Sequence, residues 1–217
     1  RLEAIEGHDA AAMKLLADPE EDGDRAVVEL LVNGALEDVP PVRSARYVVF
    51  GEEGAQTALD CLERSRRAYE ELLPPRPSTL VAHVYLFPHK ADFREFAGFV
   101  HEEVESDDAE GFSRAGQAFM AVHAGAPLQG EALGALVHEA FHLYVHAQAH
   151  GLPVWLDEGL AEYFGAVRRG QDGELTFGHT SDARHAEFRK LLRFMKPLPV
   201  ADFVKLDEKG FHAERRL

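Results

Sequence analysis

The chain has 217 residues, 46% hydrophobic and 28% charged, which is enough apolar material for one globular domain with a sizeable core and too much for a disordered polymer. Lys and Arg number 23 against 38 Asp and Glu, a formal net charge of −15, so the average surface repels phosphate backbones and anionic headgroups and argues against a nucleic-acid or membrane-surface partner. Cys61 is the single cysteine, which excludes an intrachain disulfide framework and any cysteine-built zinc cluster, whereas the 12 histidines exceed what packing requires.

Residues 1–38 read as helical, with Leu2, Ile5, Met13, Leu15 and Leu16 before the break at Asp18-Pro19, and Val27, Val28, Leu30, Leu31 and Val32 after it. Eight acids precede residue 25 against Arg1 and Lys14, most simply a solvated face. No basic-then-apolar leader is visible and no run reaches the roughly 18 apolar residues of a membrane span. The start at Arg1 suggests a processed or trimmed terminus. The lone cysteine fits a cytosol or an exported bacterial protein, the latter preferred, and the compartment itself is not legible.

Pro40-Pro41 ends the helical pattern, and the β-rich run over 46–50, closed by Gly51, predicts a strand. Ala55, Ala58, Leu59, Leu62, Ala68, Tyr69 and Leu72 recur at helical spacing over 52–73 until Pro74-Pro75 stops them, with Cys61 expected as a small core residue. A strand over 79–87 is followed by a helix carrying Phe93, Phe96 and Phe99, an acidic loop over 101–110, and a strand over 117–123 whose residues alternate. A long helix over 131–150 and a second over 155–167 are joined by Gly151-Leu152-Pro153. A turn near 170–173, a helix over 183–194 and a short apolar segment complete the chain. The economical reading is an α+β domain over 41–217, a small mixed or antiparallel sheet packed on a helix, with a helical N-terminal extension over 1–40.

The long helix contains His138-Glu139-Ala140-Phe141-His142, an H-E-x-x-H pattern. Four residues is slightly more than one turn, so both imidazoles leave the same face about 6 Å apart at Cβ, close enough to share an ion. Glu139 is rotated about 100° from His138, which lets its carboxylate stand beside a water at the ion without taking a coordination site. Zinc held by two neutral imidazoles and a carboxylate keeps an open position for water and lowers that water's pKa toward neutrality. The bland alternative, two histidines and a glutamate beside a core with no metal, is disfavoured because burying them unpaired is costly. A third ligand six residues after His142, the metzincin solution, is absent, since that position is Gln148. Glu158, sixteen residues after His142, faces the histidines if the chain reverses at 151–154.

His138-Glu139-x-x-His142 followed by Trp155-Leu156-x-Glu158-Gly159-Leu160-Ala161-x-Tyr163-Phe164 resembles the gluzincin zinc metallopeptidases, and within them the bacterial peptidase-MA-like domains. The stretch from Leu80 to Phe96 and the pair Gly111-Phe112 add to the likeness, which covers roughly residues 46–205. The resemblance implies a zincin-like fold, Zn2+ as cofactor, His138, His142 and Glu158 as its ligands, and Glu139 as general base and later proton donor. It further implies that the strand over 117–123 is the edge strand that pairs with an extended peptide. Glu162, one turn beyond Glu158, is either the partner that fixes an imidazole through its other nitrogen or an exposed helix carboxylate.

His146 and His150 continue the four-residue ladder, but each step drifts about 40° around the helix, so they are expected at the surface or behind the ligands. His123, His179 and His185 read as ordinary polar residues. Relatives supply a Tyr or His from a helix beyond the zinc site to stabilise the oxyanion. Tyr163 and His179 are weak substitutes for it, and the chain stops about where such a helix would begin, so either the sequence is truncated or the stabiliser lies elsewhere. The expected function is therefore a zinc-dependent metallopeptidase acting on a peptide or protein substrate. The alternative is a catalytically silent zinc-binding domain that recognises a peptide or protein partner.

Overall fold

Prolines and glycines punctuate the chain where the sequence pattern breaks. The computed structural model describes residues 40–76, 81–100, 109–114, 118–124, 127–148, 152–180, 182–194, 198–207 and 209–211. The helices expected over 1–38, most of the acidic loop over 101–110, and the ends of the expected elements at residues 79, 80, 117 and 150 lie outside the described residues. In chain order the elements are β1 (Val42–Arg43), β2 (Tyr47–Phe50), α1 (Ala55–Leu72), β3 (Ala82–Phe87), α2 (Lys90–Val100), β4 (Gly111–Arg114) and β5 (Phe119–His123). They continue with α3 (Gly130–Gln148), α4 (Val154–Gly165), β6 (Arg168–Arg169), β7 (Leu175–Thr176), α5 (Asp182–Phe194) and α6 (Val200–Phe203). Among the described residues no helix is long and apolar enough to cross a membrane.

Helix α1 buries Ala55, Ala58, Leu59, Cys61, Leu62, Ser65 and Tyr69, one face of a 3.6-residue repeat. It stops where Leu73 turns extended at φ −128°, the conformation that a following proline imposes, and its last turn closes by the Leu73 amide donating to the Tyr69 carbonyl. Cys61 is fully buried among apolar neighbours, as expected.

The five-stranded sheet has the order β1-β2-β3-β5-β4. Its three inner strands are parallel, with Val49 opposite Val84 and Val84 opposite Met120, and β1 and β4 run antiparallel at its two edges. The sheet is thus mixed, and the molecule combines α and β elements in layers. Alternation of side chains divides its faces. Tyr47, Val49, Val84, Leu86, Met120 and Val122 share one core with α1, α3 and α4. Tyr85, Phe87, Phe112 and Phe119 point the other way and meet Phe93 and Phe96 of α2.

One expectation is corrected. The strand expected over 117–123 as the sheet edge is β5, and it lies inside the sheet, hydrogen-bonded to β3 on one side and β4 on the other. Four of its five residues are buried, because both faces are covered. The edge is β4, a four-residue strand beginning at Gly111.

Helices α3 and α4 form an antiparallel pair under the sheet. An aromatic cluster fixes them: Tyr69 of α1 meets Phe141, Tyr144 and Phe164 edge-on or tilted, and Phe141 stacks on Phe164 at 5.2 Å. The Tyr69 hydroxyl donates to the Val137 carbonyl at 2.7 Å, immediately before His138. The two helix backbones approach closely through glycines, since a Cβ placed on Gly134 would lie 2.9 Å from the Gly165 carbonyl oxygen. Gln148 closes α3 as a structural residue, 5% exposed and accepting from the Arg76 amide.

Candidate metal centre

Helix α3 displays His138 and His142 on one face, and their Nε2 atoms stand 3.1 Å apart. Pro153 starts α4, where the Leu156 and Asp157 amides donate to its carbonyl, so the next residues project straight back at α3. Glu158 arrives with Oε2 at 3.9 Å from His138 Nε2 and Oε1 at 3.8 Å from His142 Nε2. The three residues expected as ligands are therefore together, and all three are partly buried.

The donor set fits a zinc ion. Ligand atoms at about 2.0–2.2 Å from a tetrahedral zinc are about 3.3–3.6 Å from one another. The two Nε2 atoms stand 3.1 Å apart, and Glu158 presents Oε2 at 3.9 Å from His138 and Oε1 at 3.8 Å from His142, slightly wider than that spacing. Two imidazoles and one carboxylate also leave a coordination position free, the composition of a hydrolytic rather than a closed structural site.

Glu139 lies on the sheet side of α3, against the edge strand. A methyl group on Gly111 would stand 3.1 Å from its Cγ, so a side chain at the start of β4 would press on Glu139 and shift it by a few tenths of an ångström. Gly111 thus borders Glu139, in β4 rather than in the strand to which the resemblance assigned the edge, while Phe112 turns to the α2 face.

Sequence reasoning missed Asp157. Its Oδ1 accepts from His142 Nδ1 at 2.8 Å and its Oδ2 from His146 Nε2 at 2.5 Å, with the carboxylate only 13% exposed. Burial alone would raise the Asp157 carboxyl, but the hydrogen bonds from His142 and His146 and their charges hold it far below the usual range. Burial alone would lower His142, and the Asp157 bond together with the charges of Glu139, Asp157 and Glu158 outweighs it, so the imidazole is raised above its ordinary value. The Nδ1–H tautomer that Asp157 enforces leaves the His142 Nε2 lone pair facing His138 and Glu158. The sequence signal was an acid adjacent to Glu158 in the first turn of α4.

Glu162 is partly buried one turn beyond Glu158, so it is not a fully exposed carboxylate. The partner that fixes His142 is Asp157. His123 donates its Nδ1 hydrogen to Glu110 at 2.5 Å on the α2 side of the sheet, where Glu110 also receives Lys90, and reads as the ordinary polar residue it was expected to be. His179 is hydrogen-bonded to Thr176 Oγ1 at 2.7 Å, and the exposed Tyr163 ring packs on Phe164 and against Gly178. Tyr163 lies about 140° around the helix from Glu158, so neither residue is assigned as an oxyanion stabiliser.

No protein-family profile matches the chain, and no curated protein does either. The functional reading rests on the centre itself.

Proposed function

We propose that this protein is a zinc-dependent peptide hydrolase with a zincin-like fold, similar in its centre to the gluzincin metallopeptidases. The observation that carries the reading is the convergence of His138 Nε2, His142 Nε2 and a Glu158 oxygen from two helices, with Glu139 beside them. A zinc ion held there supplies Lewis acidity, bringing a water near neutral pKa and polarising a carbonyl. Glu139 accepts the proton from the attacking water and returns it to the amine nitrogen as the peptide bond breaks. His138 and His142 must be neutral at Nε2 to serve, and the Asp157 acceptor keeps the His142 proton on Nδ1. Among the described residues β4 pairs only with β5, so its outer edge offers backbone donors and acceptors to an extended chain passing Glu139.

Two measurements test this. Protein purified without chelator should carry about one equivalent of zinc, and less than about a tenth of an equivalent, unchanged in Glu158→Ala, would sink the assignment. Glu139→Gln should keep the zinc and lose hydrolysis of a peptide library by about 100-fold or more. Binding of peptides without turnover by the wild type would show instead a silent recognition domain.

A further inference from the structure

The four-residue ladder of α3 runs past the two ligand histidines to His146, whose imidazole no ion shared by His138 and His142 can collect, because successive steps carry it around the helix. It is occupied differently. Its Nε2 donates to Asp157 Oδ2 at 2.5 Å while Asp157 Oδ1 receives His142 Nδ1 at 2.8 Å, so one carboxylate from α4 is held at both oxygens by two imidazoles of α3. The rings of His142 and His146 stand 5.8 Å apart. A carboxylate with one donor can turn about its Cβ–Cγ bond, whereas one bonded at both oxygens has its plane fixed. Asp157 also precedes Glu158, so the same backbone turn that it anchors carries the third donor residue toward the two Nε2 atoms.

We propose that His146 is a positioning residue: through Asp157 it sets the ring orientation and tautomer of His142 and the approach of Glu158, and thereby tightens metal binding without touching the metal. The proposal rests on the reading of His138, His142 and Glu158 as a metal centre. The short contacts around Asp157 are those of hydrogen bonds, closer together than the ligands of one zinc ion stand. That is why the His142, His146 and Asp157 group, although its atoms also lie within 4.8 Å of one another, is a strut rather than a second cation site.

The test uses the full chain and two readouts: the zinc dissociation constant by competition with a chromophoric chelator, and the visible spectrum of the cobalt-substituted protein. Direct outer partners of ligand histidines are worth about 10–100-fold in metal affinity, and His146 is one bond further out and partly solvated, so His146→Ala should weaken zinc about 3–10-fold and alter the cobalt bands. His146→Gln, whose side-chain N–H reaches the place of Nε2, should restore both, and the shorter His146→Asn should not. A merely structural role would not distinguish Gln from Asn. Wild-type affinity and an unchanged spectrum in His146→Ala, or Gln and Asn behaving alike, would overturn the proposal while leaving the metal centre standing. A second equivalent of zinc that His146→Ala removes would overturn it in favour of a cation site. Failure of the wild type to bind zinc at all would overturn both.

Discussion

Substitution of Gly134 by alanine separates the packing of the two site helices from the intrinsic preference of a helix for alanine. In an open helix, glycine to alanine gains about 0.5–1 kcal/mol. At Gly134 the new Cβ would stand 2.9 Å from the Gly165 carbonyl oxygen, a backbone atom that cannot rotate away, and Gly165 in turn lies against the His138 side chain. Overpacking of this kind costs about 1–3 kcal/mol, in the upper half where the obstacle is backbone, which leaves a net loss of about 1–2 kcal/mol. For a domain of this size that is about 2–8 °C in Tm. Gly98, exposed in α2 with no heavy atom within 4 Å of its would-be Cβ, is the matched control, and its alanine variant should gain stability. Thermal denaturation of the metal-free proteins, followed by circular dichroism, reads both. Because α4 carries Glu158, Gly134→Ala should also weaken zinc binding, whereas Gly98→Ala should not. Equal or opposite shifts, with Gly134→Ala as stable as the control, would refute the close crossing of α3 and α4.

Gly111→Ala should retain zinc but lower kcat about 3–10-fold, because a shift of a few tenths of an ångström in the Glu139 side chain misaligns the proton acceptor. Unchanged steady-state turnover with full metal content would show that β4 does not confine Glu139. Glu110 supplies the pH dependence outside the centre. Burial alone would raise its carboxyl, but the Lys90 and His123 hydrogen bonds and charges hold it below the usual range. A depressed folded pKa means that its contribution is present above the unfolded pKa, near 4.5, and is lost as pH falls through the folded value. Urea denaturation should therefore show Glu110→Gln less stable than wild type by about 0.5–1 kcal/mol at pH 7, with the gap narrowing as the pH falls below the unfolded pKa. A gap that persists in acid would refute the assigned pairing.

Local periodicity carried most of this structure. The spacing of His138 and His142 requires only an α-helix, and the helix is there; Glu158 needed only a tight reversal after Gln148, and Pro153 sets the start of the returning helix. What was not legible depended on pairing between distant segments. The run Phe119-Met120-Ala121-Val122 is continuously apolar, the pattern of a strand covered on both faces, whereas the edge assignment came from the resemblance, and the register with β3 and β4 contradicts it. The actual edge strand, Gly111–Arg114, is too short and too polar to announce itself. Asp157 escaped for a different reason. Two adjacent residues in a helix point about 100° apart, so the one beside Glu158 is easily passed over, yet here it reaches the back of the same histidine whose front Glu158 faces.

The position of a bound metal tests the proposed centre most directly. Crystals of the zinc-loaded protein measured on both sides of the zinc absorption edge should show one anomalous peak, about 2.0–2.2 Å from His138 Nε2, His142 Nε2 and a Glu158 oxygen, with Asp157 still bonded to His142 Nδ1. No peak at that position, or a sole peak between His146 and Asp157, would contradict it.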